Sequence, residues 1–288
     1  MKRLGLNGNN WQRTLAERVT IRGTGLHSGD RCVVVLHPAA EDVGIVFAGN
    51  GERIAGVAAN VVGTARGTTL GRNGTRFSTV EHLMAALHGL GVDNSCVEVQ
   101  GTEMPALDGS AMPYVDAIRG VGTVELPKQR RLLTLHEPVW ITGDGSFILA
   151  VPAKRLRITY VMRYDHPLIG TQTATFVITE SNFRNHIAPA RTFVMYEEIA
   201  GLVSQKLARG GSLSNAIVVW QDRLSSDLRF PDELARHKVL DLTGDLALLG
   251  GRLAAEIVAV KSGHALNVEF VRRLTDYLSE EENAREAA

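Results

Sequence analysis

The segment His237-Lys238-Val239-Leu240-Asp241-Leu242-Thr243-Gly244-Asp245 concentrates residue types that do chemistry. At about 100° per residue on a helix, His237, Asp241 and Asp245 fall on one stripe, with Lys238 at its edge. Val239, Leu242, Leu246 and Leu249 take the opposite side, and Leu240 and Leu248 crowd the remaining edge. A helix that is apolar nearly all round is a buried one, and a buried carboxylate is costly unless a cation or hydrogen-bond donors meet it. His and Asp at i, i+4 can reach one divalent ion together. They can equally pair with each other, and for an isolated H-x-x-x-D that plain ion pair is the commoner outcome. The rest of the chain has to decide.

The elements that would carry such a site follow from pattern. Pro231-Asp232-Glu233 opens the helix just described, where proline and acids suit an N-terminus, and Gly250-Gly251 stops it. A second helix is predicted over 79–88, with Val80, Leu83, Met84 and Leu87 on one face and Gly89 as its cap. Its first turn carries Glu81 and His82. Ser78-Thr79-Val80-Glu81 also fits a capping box, in which the Glu81 carboxylate would only tie back to the Ser78 amide. Earlier in the chain, residues 1–17 read as a loose leader. Arg18 to Arg22 and Cys32 to His37 read as a hairpin around the turn Gly23 to Asp30, where His27 is either a site residue or simply a turn residue. Gly44 to Phe47, Ala55 to Val57 and Val97 to Val99 are further short strands. Tyr114 to Arg119 starts another helix.

Composition shifts at Val124-Glu125-Leu126-Pro127-Lys128-Gln129-Arg130-Arg131, a proline followed by a basic run, which reads as an inter-domain linker. Beyond it strands come first again (132–135, 139–142, 147–151, 156–162 and 172–178) and helices later. This layout predicts an α+β fold of two similar domains, 1–126 and 127–288, each a layered sheet with two helices. A helix over 196–208, the pair Gly210-Gly211 and a strand over 216–220 form a small βαβ-type insertion in the second domain, about 193–222. Its exposed apolar faces suit an acyl chain, or they pack on the core. Ala255 to Val260 is a buried strand, and the charged tail from Arg272 is a solvated or frayed helix.

Bulk properties narrow the classes. Lys+Arg and Asp+Glu both number 31, so no global field draws the 288-residue chain to nucleic acid or a membrane surface. With 44% hydrophobic residues it can build a real core. Cys32 and Cys96 form no CxxC pattern, so any metal must use His and carboxylate ligands. No apolar leader segment and no stretch of transmembrane length is present, which predicts a cytoplasmic protein.

Seven blocks, taken together and in order, resemble one family. They are Gly25-Leu26-His27-Ser28-Gly29, Ser78-Thr79-Val80-Glu81-His82-Leu83, Asp108-Gly109-Ser110, Ala190-Arg191-Thr192-Phe193, Gly210-Gly211-Ser212, His237-Lys238-x-x-Asp241-x-x-Gly244-Asp245 and Lys261-Ser262-Gly263-His264-Ala265-Leu266-Asn267. The resemblance, from about Leu15 to Val271, is to the UDP-3-O-acyl-N-acetylglucosamine deacetylases, zinc amidases of lipid A biosynthesis. It implies two α+β domains with the site between them, and Zn²⁺ held by His82, His237 and Asp241 with a fourth position open. A His₂Asp set also suits Fe²⁺. It further implies Glu81 as general base, Thr192 as a donor to the oxyanion, and His264 as a cation held by Asp245. Lys238 and Phe193 would position the sugar nucleotide, while Tyr196, Ile199, Ser212, Ala216 and Val218 would hold the 3-hydroxyacyl chain. The implied partner is an acylated UDP-sugar, met by a monomer that can approach the membrane transiently.

Four residues depart from the family pattern. Gly63 stands in place of an acid, Arg66 and Arg209 in place of apolar residues, and Ser214 in place of an acid. None is an implied ligand or proton-transfer group. Arg66 and Arg209 lie near the implied acyl passage. A non-catalytic paralogue that binds sugar nucleotide or lipid, and a plain α+β protein with structural histidines, are the competing readings.

Overall fold

The computed structural model describes residues 11–286. Strand Arg31–Pro38 alternates, with Cys32, Val34 and Leu36 buried and their neighbours half-exposed, the period-2 signature of a half-buried strand. It pairs antiparallel with Val19–Thr24 on one side and with Ser95–Gln100 on the other. Ser95–Gln100 in turn pairs parallel with Ile45–Gly49, which closes a hairpin with Glu52–Ala55. Helix α1 (Glu81–Gly89) and helix α2 (Met112–Val121) follow in this half, with a small three-stranded sheet, Val61–Gly63, Thr69–Arg72 and Thr75–Phe77, before α1.

The second half repeats the arrangement. Hairpin Val139–Gly143 and Ser146–Pro152 pairs antiparallel with the long strand Arg252–Val260, which pairs parallel with Arg157–Arg163. That strand closes a hairpin with Thr171–Val177, and Leu132–Thr134 joins Arg252–Val260 in parallel. Both five-strand paths thus place the last strand in the middle, with the same sequence of pairings. Parallel strands Phe193–Met195 and Ile217–Val219 flank helix α3 (Tyr196–Ser204), which makes the insertion a compact βαβ unit. Helix α4 (Glu233–Leu246) runs into a 3-10 turn, Ala247–Leu249, and stops at Gly250 with φ +68°. Helix α5 spans His264–Glu286.

Helices lie between the sheets. α2 packs on Val19–Thr24, α4 on Arg157–Arg163 and Thr171–Val177, and α1 lies against α4. Every residue of α1 is buried as a result. One hydrophobic cluster runs through both halves, joining Leu36, Phe47 and Leu83 to Leu242, Ile257 and Phe270.

Several expectations change. Within the expected loose leader, Trp11–Leu15 is a strand with Leu15 fully buried; residues 1–10 lie outside the described residues. Its partner is Thr123–Gln129, the segment expected as a linker, with Arg13 opposite Glu125. The proline there sits on an edge strand, where a missing N–H is tolerated. The tail is no frayed appendage either: Leu274 and Leu278 are buried, so an apolar face pins a helix that begins at His264. Gly89 is not the cap of α1. It is the last residue of the helix, with Leu90 as the cap, and a Cβ there would meet the Phe183 ring at 2.2 Å.

Candidate active site

Helices α1 and α4 touch backbone to backbone. A Cβ on Gly244 would lie 2.1 Å from the Glu81 carbonyl oxygen, so only glycine allows this approach. The crossing places His82, on α1, against His237 and Asp241, one turn apart on α4. One ligand atom from each of these three residues lies within 4.8 Å of the others. The two imidazoles meet edge to face at 5.1 Å between centroids. His82 Nε2 stands 3.5 Å and His237 Nε2 3.3 Å from Asp241 Oδ1.

Protonation decides what this cluster is. His237 Nδ1 lies 3.1 Å from the Ala190 carbonyl, which only accepts, so Nδ1 carries the hydrogen. Burial pushes the His237 pKa down to about 4, despite the opposing charge of Asp241. A neutral ring with its hydrogen on Nδ1 presents a bare Nε2 lone pair to a carboxylate oxygen. Asp241 Oδ1 is buried and receives no hydrogen bond, while Oδ2 accepts from Lys238 Nζ at 2.6 Å. Burial alone would raise the Asp241 pKa, while an imidazolium at His237 and the Lys238 ammonium lower it well below the usual range; with His237 neutral, the Lys238 ammonium is what keeps the carboxylate charged. Acceptors facing acceptors in a buried site call for a cation, and the donor set suits a divalent metal. The hydrogen bond from His237 Nδ1 to the Ala190 carbonyl fixes the ring's orientation, as such bonds do for imidazoles that face a metal.

Glu81 is buried beside this cluster, and its carboxylate does not cap the helix. The Ser78 amide is already taken by the Thr102 carbonyl at 2.8 Å, and Thr79, at φ +57°, turns the chain away before α1 starts. Glu81 Oε2 instead accepts from the Thr68 amide at 2.9 Å, leaving Oε1 3.8 Å from His264 Nε2. Burial raises its pKa against the opposing pull of His264 and His82.

His264 begins α5, and its Nδ1 lies 2.9 Å from Asp245 Oδ2. Burial would lower its pKa, but Asp245 and Glu81 carry it up to about 9. Asp245 is itself fully buried and held by two further donors, Thr68 Oγ1 at 2.6 Å and Asn267 Nδ2 at 2.9 Å. Neither Thr68 nor Asn267 stands out from sequence as a site residue. Asn267 follows His264 by three residues and so shares its helix face, a spacing that could have flagged it. Thr68 has no local signal, because only the fold brings it to Asp245.

A cavity of about 340 Å³ exposes Glu81, His82, Thr192, Phe193, Lys238, His237, Asp241 and His264 together. A second, apolar cavity of about 300 Å³ adjoins it, lined by Phe193, Ile199, Ser212, Ala216 and Val218 among others. Tyr196 lines neither; its ring stacks on Trp220 at 5.6 Å. Sequence blocks with no chemical side chain turn out to be contacts. The Thr192 amide donates to Gly109 at 2.8 Å, and a Cβ on Gly109 would meet the Asn215 carbonyl at 2.0 Å. A Cβ on Gly210 would meet the Gly25 carbonyl at 2.1 Å. Glu103, buried and unremarked in the sequence, fixes the 25–29 turn by accepting from His27 N at 2.8 Å and Ser28 N at 2.7 Å. Glu233, read from sequence only as a helix-start acid, accepts from Arg191 Nε at 2.8 Å and Nη2 at 3.0 Å, which anchors the Thr192 segment to the start of α4.

Known proteins bear on the same residues. The family model for UDP-3-O-acyl N-acetylglycosamine deacetylase matches residues 12–276. A UDP-3-O-acyl-N-acetylglucosamine deacetylase of Anaeromyxobacter dehalogenans is 44% identical over 267 residues, covering 91% of this chain and 87% of the relative. Proteins of the same name from Syntrophotalea carbinolica and Chlamydia abortus are 40% and 41% identical, covering 92% and 93% of this chain and 87% and 98% of theirs. A match of that length, laid over a cavity in which two imidazoles, a bare carboxylate oxygen and a buried glutamate converge, makes this chain a member of the UDP-3-O-acyl N-acetylglycosamine deacetylase family.

Proposed function

We propose that this chain carries out its family's reaction, hydrolysis of the N-acetyl amide of an acylated UDP-glucosamine, in the cavity shared by His82, His237 and Asp241, which hold Zn²⁺ or, in the cell, Fe²⁺. The observation that carries the reading is the charged, donor-free Asp241 oxygen facing two imidazoles beside a buried Glu81. When bound, such an ion polarises an amide carbonyl and lowers the pKa of a water toward ~7.

The chain's own groups supply the rest. Glu81, its proton affinity raised by burial and its Oε1 facing the cavity, takes the proton of the attacking water. Thr192, whose backbone is clamped to Gly109, offers its hydroxyl to the developing oxyanion. His264, kept cationic by Asp245, stabilises the same charge or hands a proton to the departing amine. Lys238 and Phe193 position the sugar nucleotide. The apolar cavity, with Ile199, Ser212, Ala216 and Val218, takes the acyl chain. The matching strand orders support two similar domains, 1–126 and 127–288. Among the described residues no helix is long and apolar enough to cross a membrane, and the reading takes the protein as a cytoplasmic monomer.

Metal analysis with turnover assays tests this. About one metal ion per chain is expected, with activity lost on chelation. Glu81→Ala should lower kcat by at least about 10²-fold with the metal retained. Wild-type turnover by that variant removes Glu81 from the mechanism. Metal-loaded wild type that turns over no acylated UDP-N-acetylglucosamine favours a binding protein instead.

A further inference from the structure

The metal cavity and the apolar cavity share five lining residues, Leu26, Arg66, Thr192, Phe193 and Val194, and Arg66 is the charged one among them. Among the described residues it is also the only permanently charged side chain that lines the apolar cavity. Its placement is built. The backbone at Arg66 has φ +62°, and its carbonyl accepts a hydrogen bond from His27 Nε2 at 3.2 Å. His27 Nδ1 accepts from the Ala208 amide at 3.4 Å, which leaves the ring hydrogen on Nε2 for that bond. The guanidinium reaches across to the insertion, where Nη1 donates to Glu198 Oε2 on α3 at 3.0 Å. Glu198 lines the metal cavity and not the apolar one. The pair therefore stands where a substrate held at the metal passes into the apolar cavity.

We propose that Arg66 is a specificity-determining residue for the acyl chain: with Glu198 it forms a polar collar that favours acyl groups bearing a hydroxyl close to the ester over plain alkyl chains of the same length. The inference deepens the acyl-site reading given above and rests on it. A guanidinium cannot shed its charge, so an alkyl segment pressed against the collar desolvates or separates the pair without compensation. A hydroxyl is both donor and acceptor, and the collar offers one of each: the Arg66 N–H groups donate and the Glu198 carboxylate accepts. Hydrogen bonds lost between the two side chains are then replaced by bonds to the substrate.

The test is steady-state kinetics on a matched pair of UDP-3-O-acyl-N-acetylglucosamines, equal in chain length, with and without a hydroxyl on the third acyl carbon. Wild type is expected to prefer the hydroxylated substrate in kcat/KM. Arg66→Leu is expected to reduce that preference about tenfold, through a higher KM for the hydroxylated substrate and a lower one for the plain chain, with kcat little changed. Arg66→Lys should keep part of the preference, which a merely structural role would not predict. An unchanged preference in Arg66→Leu, a loss equal on both substrates, or a wild type that treats the two alike overturns the inference. No wild-type turnover of either substrate overturns the deacetylase reading instead.

Discussion

A histidine wedged between carboxylates in a dry site keeps its proton into alkaline solution, and His264 is such a residue. Burial favours its neutral form, but Asp245 and Glu81 outweigh burial and place its pKa at about 9. Catalysis that uses the imidazolium is therefore complete at neutral pH and falls as pH rises through about 9. A kcat/KM profile of the wild type should bend down there, and Asp245→Asn should move the bend to lower pH. A profile with the same alkaline limb in His264→Gln would assign that limb to another group. The neighbouring histidine behaves in the opposite sense: with no carboxylate strong enough to offset burial, His237 titrates near 4 and stays neutral, the form that the proposed metal-binding role requires. Two histidines in one cavity thus take opposite charge states. Helix spacing marked His237 and the family resemblance marked His264 as site residues, but their protonation follows from neighbours brought together by the fold.

At the scale of elements, the site is a helix crossing. Helix α4 was legible because its apolar and ionisable residues sort by angle, and its observed span, Glu233–Leu246 plus a 3-10 turn, agrees with the expected start and stop. The crossing itself was not legible, since no local rule says that Gly244 must face Glu81. Gly244→Ala is expected to force the helices apart, cost about 1–3 kcal/mol of stability, and lower metal affinity together with kcat, because Glu81, His82 and Asp241 all ride on the contact. Denaturant unfolding and metal titration check both parts; loss of stability with unchanged metal affinity would place the metal site elsewhere. A second anchor is the bidentate Arg191–Glu233 pair, in which Glu233 is fully buried and Arg191 partly so. Arg191→Ala leaves that carboxylate without its main partner and should cost about 3–5 kcal/mol in denaturant unfolding. Arg66 and Glu198 differ, because their side chains are 47% and 40% exposed; their pair contributes about 0–1 kcal/mol and matters for selectivity, not for stability.

Across the whole molecule, the two halves are stitched by charge at the end of α1 opposite to His82. Arg252, on the central strand of the second sheet, donates to the His88 carbonyl at the end of α1 and to Asp93 at 3.2 Å, and Arg130 donates to Asp93 at 2.7 Å and to Gly91. His88 is buried among these cations, and burial first, then Arg252 and Arg130, holds its pKa well below 6.5. The folded protein keeps His88 neutral where the unfolded chain would protonate it, so between those two pKa values the unfolded state binds more protons. Stability is full above about pH 6.5 and falls as pH drops below it. His88→Gln should flatten that acid limb in denaturant titrations between pH 7 and 5, whereas an identical slope would mean that other groups produce it. The strand pair Trp11–Leu15 with Thr123–Gln129 shows what the linker reading left out: a proline and a basic run look like a spacer in one dimension, and only long-range pairing makes the segment an edge strand.

By itself the sequence determined the α+β class, the helices that bear Glu81, His82, His237 and Asp241, and the family, because periodicity, turn chemistry and ordered motif blocks are properties of the chain read locally. Only the tertiary structure decided that Glu81 bonds Thr68 and leaves Ser78 alone, that Thr68 and Asn267 hold Asp245, that Tyr196 stands outside both cavities, and that Arg66 is placed between them. Those facts depend on which side chains share a dry space and which donors reach them first. Such competition is settled by packing between segments up to 196 residues apart, the separation of Thr68 from His264.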